Sequence, residues 1–157
     1  MEALPVKTSK MTQTRLVFPP DTNHMGTIFG GKVLAYIDEI AALTAMKHAN
    51  AVVVTASIDS VNFLSAAKVG EALTLEACVT KTGRTSMEVY VKVYAEDFLQ
   101  GEQKVTTESF LTMVAVGEDG KPVSVPEVIP ETKEEKELYR TAADRKKERE
   151  RKARISI

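Results

Sequence analysis

One stretch constrains the fold more than any other. Gly31 to His48 is the single strong helical run of the globular part, and four long strand-like runs follow it directly. The helix is apolar over most of its circumference, so it has to be covered widely. Val52 to Phe63 begins as a continuous apolar run and becomes alternating. Ala72 to Thr80 follows Gly70, and Gly83 turns the chain. Ser86 to Ala95 alternates, with Met87, Val89, Val91 and Val93 on one side and Glu88, Tyr90, Lys92 and Tyr94 on the other. Gly101 turns the chain again before Val105 to Val116. Strands in an uninterrupted run favour antiparallel pairing and an α+β domain. A curved antiparallel sheet wrapped around one long helix meets both demands. Its exposed edges and open flank predict pairing across a two-fold axis.

The remaining residues divide into a lead-in (1–12), a globular domain (13–120) that starts with a short strand at Thr14–Phe18, a linker (121–130) with three prolines, and a charged helix or tail (131–157). That last segment holds ten Lys/Arg against seven Asp/Glu, and residues 1–130 hold eleven against fifteen. Mixed signs at this density predict a solvated helix or frayed tail, with contact to an anionic ligand or a neighbouring subunit as the alternative. The acidic remainder argues against nucleic acid as a partner. No stretch reads as a membrane span or a signal peptide, which predicts a cytoplasmic protein with no membrane partner. Cys78 is the one cysteine and lies in a strand-like run, so it reads as a small core residue. His24 and His48 are far apart, and no metal-ligand spacing is present.

One residue does not suit its place. At about 100° per residue, Asp38 falls roughly 100° or more from Lys32 and Glu39 and among Leu34, Ala35, Ala42 and Ala45. The helix pattern assigns Lys32, Glu39, Lys47 and His48 to the polar side. A carboxylate on a small apolar face is costly to bury unless it is paired or functional. It can still be a surface acid at the edge of the polar stripe, or one satisfied by backbone groups. The loop before the helix, Asp21 to Gly30, carries Asn23 and His24 and ends in Gly30-Gly31. The first N–H groups of a helix lack intrahelical partners and point along the positive end of its dipole, so they suit a carbonyl that develops negative charge. Asp38 is roughly 10 Å along the helix from Gly31 at 1.5 Å per residue. That separation predicts a site shared between two subunits.

The run Asn23-His24-Met25-Gly26-Thr27-Ile28-Phe29-Gly30-Gly31-Lys32-Val33-Leu34-Ala35-Tyr36-Ile37-Asp38 resembles the signature of hotdog-fold acyl-CoA thioester hydrolases. Val54 to Leu64, Val69-Gly70-Glu71 and Gly83-Arg84-Thr85-Ser86-Met87-Glu88-Val89 resemble further segments of that family. Asn62 stands where the family has an acid or another amide, and Ser65-Ala66-Ala67 lacks its proline.

The resemblance implies a hotdog fold, a curved antiparallel sheet around one central helix, and hydrolysis of acyl-CoA to free CoA and a carboxylic acid. It assigns Asp38 as general base or nucleophile and Asn23 of the facing subunit as the group that orients water or carbonyl. The Gly31 N–H, with His24, becomes the oxyanion donor. Gly83, Arg84, Thr85 and Ser86, helped by Lys81, become the CoA-binding set. It implies a homo-oligomer built of dimers, as a trimer of dimers, with no metal or organic cofactor beyond the CoA of the substrate. A non-catalytic hotdog module that binds acyl-CoA or a nucleotide is the alternative, and a hydratase on the same fold is a further one.

Overall fold

The structure, a computed structural model, describes residues 1–154. Its elements in chain order are β1 (Leu4–Pro5), β2 (Met11–Leu16), α1 (Gly30–Ala49), β3 (Val52–Phe63), β4 (Ala72–Thr82), β5 (Ser86–Asp97), β6 (Glu102–Val116), β7 (Val128–Ile129) and α2 (Lys133–Ala153). Five strands form one antiparallel sheet in the order β2-β4-β5-β6-β3. The α+β hotdog architecture read from the sequence is the one observed.

α1 lies across one face of this sheet. It starts at Phe29, which is still extended, and stops at Asn50, whose left-handed φ of 51° suits an asparagine side chain and ends the helical path. Val33, Ile37, Ile40, Ala41 and Ala45 of α1 are buried against the inward residues of the sheet. These are Leu73, Leu75 and Val79 of β4, Met87, Val89, Val91 and Val93 of β5, and Leu111 and Met113 of β6, all 0–1% exposed. The period-two pattern therefore placed the core face of β5 correctly.

Four expectations change. His48 does not belong to the polar side. It falls about 160° round the helix from Lys32, is 1% exposed, and its Nε2–H donates to the Pro126 carbonyl at 2.8 Å. β2 runs from Met11 rather than Thr14, because pairing with β4 continues back to Met11↔Ala77. The lead-in is anchored rather than loose: β1 pairs in parallel with β7, and Val6 and Ser9 are buried. The β5–β6 hairpin extends past its apolar run, out to Asp97↔Glu102, since backbone pairing does not depend on side-chain polarity.

α2 differs most from expectation. Thr132 caps it, with its Oγ1 accepting from the Glu135 N–H while the Glu135 carboxylate accepts from the Thr132 N–H. Its outward face is solvated, but its inward face rests on the outer side of the sheet. Ala142 is buried there. Arg145 donates to both oxygens of Glu88 at 2.8 and 3.0 Å and lies 4.3 Å over the Phe110 ring. Arg149 pairs with Asp59 at 3.3 Å and Glu88 at 3.8 Å. The last three residues of the expected charged segment, 155–157, lie outside the described residues.

Candidate active site

Asp38 sits two turns into α1, on the flank turned away from the core, and is half-buried. Of its helical neighbours, Leu34 and Ala42 are half-buried and Ala35 is exposed. The carboxylate has one partner among the described residues: Thr55 of β3 donates through Oγ1 to Asp38 Oδ1 at 2.7 Å. Oδ2 is left without one. Thr55 went unnoticed in the sequence. It lies in an ordinary strand run, and only the packing of α1 against β3 brings it to Asp38. A hydroxyl three residues into the strand after the helix was the one available signal.

β3 is an edge strand, paired only with β6 among the described residues. Its apolar side chains are unusually open: Val52 is 62% exposed, Val54 48% and Ile58 38%. Met46, further along α1, is 41% exposed. Asp38 therefore lies on a rim where an apolar helix flank meets an unpaired strand edge.

The loop ahead of α1 is internally stapled. Asn23 Oδ1 accepts from the N–H of Met25 (2.9 Å), the N–H of Thr27 (3.3 Å) and the hydroxyl of Thr27 (3.2 Å). These three donors identify the oxygen and leave Nδ2 as the free donor end. Asn23 makes no hydrogen bond with Asp38 of its own chain, and His24 is exposed beside it. At the helix start, Lys32 and Val33 N–H groups both return to the Phe29 carbonyl (3.0 and 3.2 Å). The Gly30 and Gly31 N–H groups have no partner among the described residues. The Phe63 ring lies beside Gly30, where an added Cβ would meet it at an ordinary contact distance of 3.4 Å, whereas the space beside Gly31 is open. A cavity of about 330 Å³, lined in part by Ile28, Gly30, Val33, Phe63 and Leu64, opens beside this junction.

The other predicted set lies at the β4–β5 turn. Gly83 N–H donates to the Ser86 carbonyl at 2.9 Å, closing the turn, and Ser86 Oγ occupies the space a Cβ on Gly83 would need. Arg84 is exposed, and its carbonyl accepts from Val125 N–H. Thr85 O accepts from Ala115 N–H. Lys81 Nζ lies 3.8 Å over the Tyr139 ring of α2. Within one chain the structure thus brings Asp38 to Thr55, keeps Asn23 and His24 in the loop ahead of the Gly30-Gly31 helix start, and sets Lys81, Gly83 and Ser86 against α2, while Arg84 and Thr85 pair through their carbonyls with Val125 and Ala115. These three groups share no hydrogen bond among the described residues.

A thioesterase superfamily model matches residues 25–101, from the loop through β5. A Bacillus subtilis protein described as an uncharacterized acyl-CoA thioester hydrolase is 48% identical over 150 residues, 96% of this chain and 87% of that one. The chain belongs to the acyl-CoA thioester hydrolases of the thioesterase superfamily. Solved structures agree with this membership. An apo-hexameric acyl-CoA thioesterase superposes with a TM-score of 0.98 at 67% identity, covering 99% of this thioesterase and 100% of that chain. The acyl-CoA hydrolase of Staphylococcus aureus, solved with butyryl-CoA and CoA, superposes at 0.89 with 48% identity over 96% and 92% of the two chains. That hydrolase has also been solved with single aspartate, threonine and asparagine residues replaced by alanine, the asparagine variant with CoA bound.

Proposed function

We propose that this thioesterase hydrolyses acyl-CoA to free CoA and a carboxylic acid, in a site built around Asp38 and completed by a second subunit. The observation that carries the reading is Asp38 held by Thr55 on one oxygen and open on the other, at an uncovered apolar rim. In the Staphylococcus aureus hydrolase the three replaced residues run asparagine, aspartate, threonine, fifteen and then seventeen positions apart. Asn23, Asp38 and Thr55 have the same spacing.

The chemistry follows from these positions. Thr55 fixes the carboxylate plane, so that Oδ2 faces the substrate side. As general base, Oδ2 takes a proton from water while the water oxygen bonds to the thioester carbon. The carbonyl oxygen then carries the negative charge, and the unpartnered Gly31 N–H at the helix start stabilises it, with His24 as a second donor. The tetrahedral intermediate collapses, the carbon–sulfur bond breaks, and the proton held by Asp38 returns to the thiolate. As nucleophile, Oδ2 bonds to the carbon itself, expels the thiolate and leaves an anhydride for water to cleave. Asn23 of the facing subunit orients the water or carbonyl through Nδ2. Water is the only co-reactant in either route.

A second copy laid along the free edge of β3 covers Val54 and Ile58 and dehydrates Asp38. The hexameric neighbour supports a homo-oligomer, which we assign as a trimer of dimers. No helix among the described residues is long and apolar enough to cross a membrane, and we assign the protein to the cytoplasm.

Thiol release measured across acetyl-, butyryl-, octanoyl- and palmitoyl-CoA, with Asp38→Ala run beside the unmodified protein, tests the reading. Turnover that vanishes in a folded Asp38→Ala supports it, and undiminished turnover in that variant removes Asp38 from the mechanism. CoA binding with no turnover of any chain length in the unmodified protein selects the binding-module alternative.

A further inference from the structure

β3 serves both faces of the sheet within a few residues. On a regular strand, side chains two apart share a face. Thr55 and Ser57 do not. Thr55 stands opposite the core residue Met113 and reaches inward to Asp38. Ser57 stands opposite Thr112 and bonds to Asp59 on the outer face, beneath α2. The register shift between them leaves Ala56 as an extra residue, a β-bulge, and the bulge reverses which side chains point inward. A second shift, between Ile58 and Ser60, leaves Asp59 itself out of the ladder. A slip of one residue back toward regular pairing turns Thr55 away from α1.

Asp59 holds the strand in this irregular register. Its side chain is 8% exposed, and both of its oxygens are engaged. Ser57 donates its hydroxyl to Oδ1. Thr112 of β6 donates to Oδ2 at 2.8 Å, and Arg149 of α2 donates to the same oxygen at 3.3 Å. One carboxylate thus ties the residue just past the Ala56 bulge to the neighbouring strand and to α2. Hydrogen bonds of this kind to a buried charge are stronger than neutral ones, so they outweigh the pull toward regular pairing.

We propose that Asp59 is a positioning residue for thioester hydrolysis: it fixes the bulge at Ala56, and the bulge keeps the Thr55 hydroxyl on Asp38. Its role rests on the thioesterase reading above. Asp59 touches no reacting atom and acts through Thr55. Arg149 makes α2 part of the same hold, so the charged helix supports Asp38 from the opposite face of the sheet.

The test measures butyryl-CoA turnover by the unmodified oligomer, by Asp59→Ala, Ser57→Ala and Thr55→Ala, and by each of the first two combined with Thr55→Ala. Thr80→Val is the control, because it takes one hydrogen bond from the other buried carboxylate, Glu88. Asp59→Ala is expected to lower kcat about fivefold, most of the worth of one hydrogen bond, with KM unmoved. Ser57→Ala is expected to lower it about threefold. Both effects are expected to vanish when Thr55 is already alanine, because the hydroxyl they position is gone. Thr80→Val is expected to lower Tm and leave kcat unchanged. An equal fall in kcat in Thr80→Val, or a full effect of Asp59→Ala on top of Thr55→Ala, makes Asp59 merely structural and overturns the proposal. If Asp59→Ala does not fold, Ser57→Ala decides: a loss that needs Thr55 supports the proposal, and unchanged kcat overturns it. Undiminished kcat in Thr55→Ala removes the Asp38–Thr55 pair from the reaction and the role of Asp59 with it. A loss in Thr55→Ala beside unchanged kcat in a folded Asp59→Ala overturns the role of Asp59 alone.

Discussion

The two helices of this chain treat carboxylates in opposite ways. Beneath α2, Glu88 and Asp59 are buried and fully engaged: Thr80 and Arg145 hold Glu88, while Ser57, Thr112 and Arg149 hold Asp59. On α1, Asp38 is half-buried and has one partner. A buried acid whose oxygens are all satisfied is structural, because any reaction would have to break those bonds first. An acid with one oxygen fixed and the other open is positioned without being occupied. Charge density alone points to α2, which holds most of the chain's paired charges, whereas the carboxylate with a free oxygen is on α1.

The largest expected effect separates the two regions directly. Asp38→Ala is expected to lower kcat by about 100- to 10,000-fold while thermal stability stays within experimental scatter of the unmodified protein. Steady-state kinetics and a melting curve on the same preparation check both halves. Loss of folding instead would make Asp38 a structural acid like Glu88.

Arg145→Met is expected to do the reverse. It takes both guanidinium hydrogen bonds from the buried Glu88, leaving Arg149 at 3.8 Å and the Thr80 hydroxyl, and costs about 3 kcal/mol, a fall in Tm on the order of 10 °C for a chain of this size. Adding Glu88→Gln removes the stranded charge and is expected to recover most of that loss. If the single variant melts like the unmodified protein, the cluster under α2 is not what docks it.

Thr55→Ala is expected to reduce kcat about tenfold, the worth of one hydrogen bond to a charged group, with Thr55→Ser restoring most of it. Because Thr55 is exposed, stability is expected to move by less than about 0.5 kcal/mol. Loss in KM alone would place Thr55 in binding rather than in orienting Asp38.

The smallest effect concerns the outer face near the start of α2. Burial pushes the Cys78 thiol up from 9.0 to about 12, with Lys10 opposing and Glu134 adding to the rise. The thiolate is therefore scarce below pH 9, and native protein is expected to resist a disulfide dye that labels the unfolded chain rapidly. The sign for stability follows: the unfolded thiol ionises above 9.0 and the folded one only near 12. The contribution is present below pH 9 and is lost as pH rises through that interval. Rapid labelling of the native chain would show that α2 does not stay on the sheet.

Much of this was legible in the order of residues. α1 and the cores of β3 to β6 announce themselves by period, since burial on one side of a helix or strand repeats every 3.6 or 2 residues. The loop signature from Asn23 to Asp38 marked the family. His48 was misplaced because it was grouped with Lys32 and Glu39 as a polar residue, although at 100° per residue it stands about 160° from Lys32, on the core side. Thr55 was missed because hydrogen bonding across seventeen residues leaves no local pattern. The docking of α2 was missed because its few inward groups, Ala142, Arg145 and Arg149, are outnumbered by solvated charges on the same helix.

The sequence by itself determined the α+β order, the inward faces of the central strands, the unusual carboxylate at position 38 and the thioesterase family. Tertiary structure alone decided which hydroxyl holds that carboxylate, which acids are already neutralised, and that a charged tail closes over the β4–β5 turn. Periodicity is a property of one segment meeting a uniform interior, and a single chain order carries it. Pairing of charges depends on which segments meet, and distance in space settles that independently of distance along the chain.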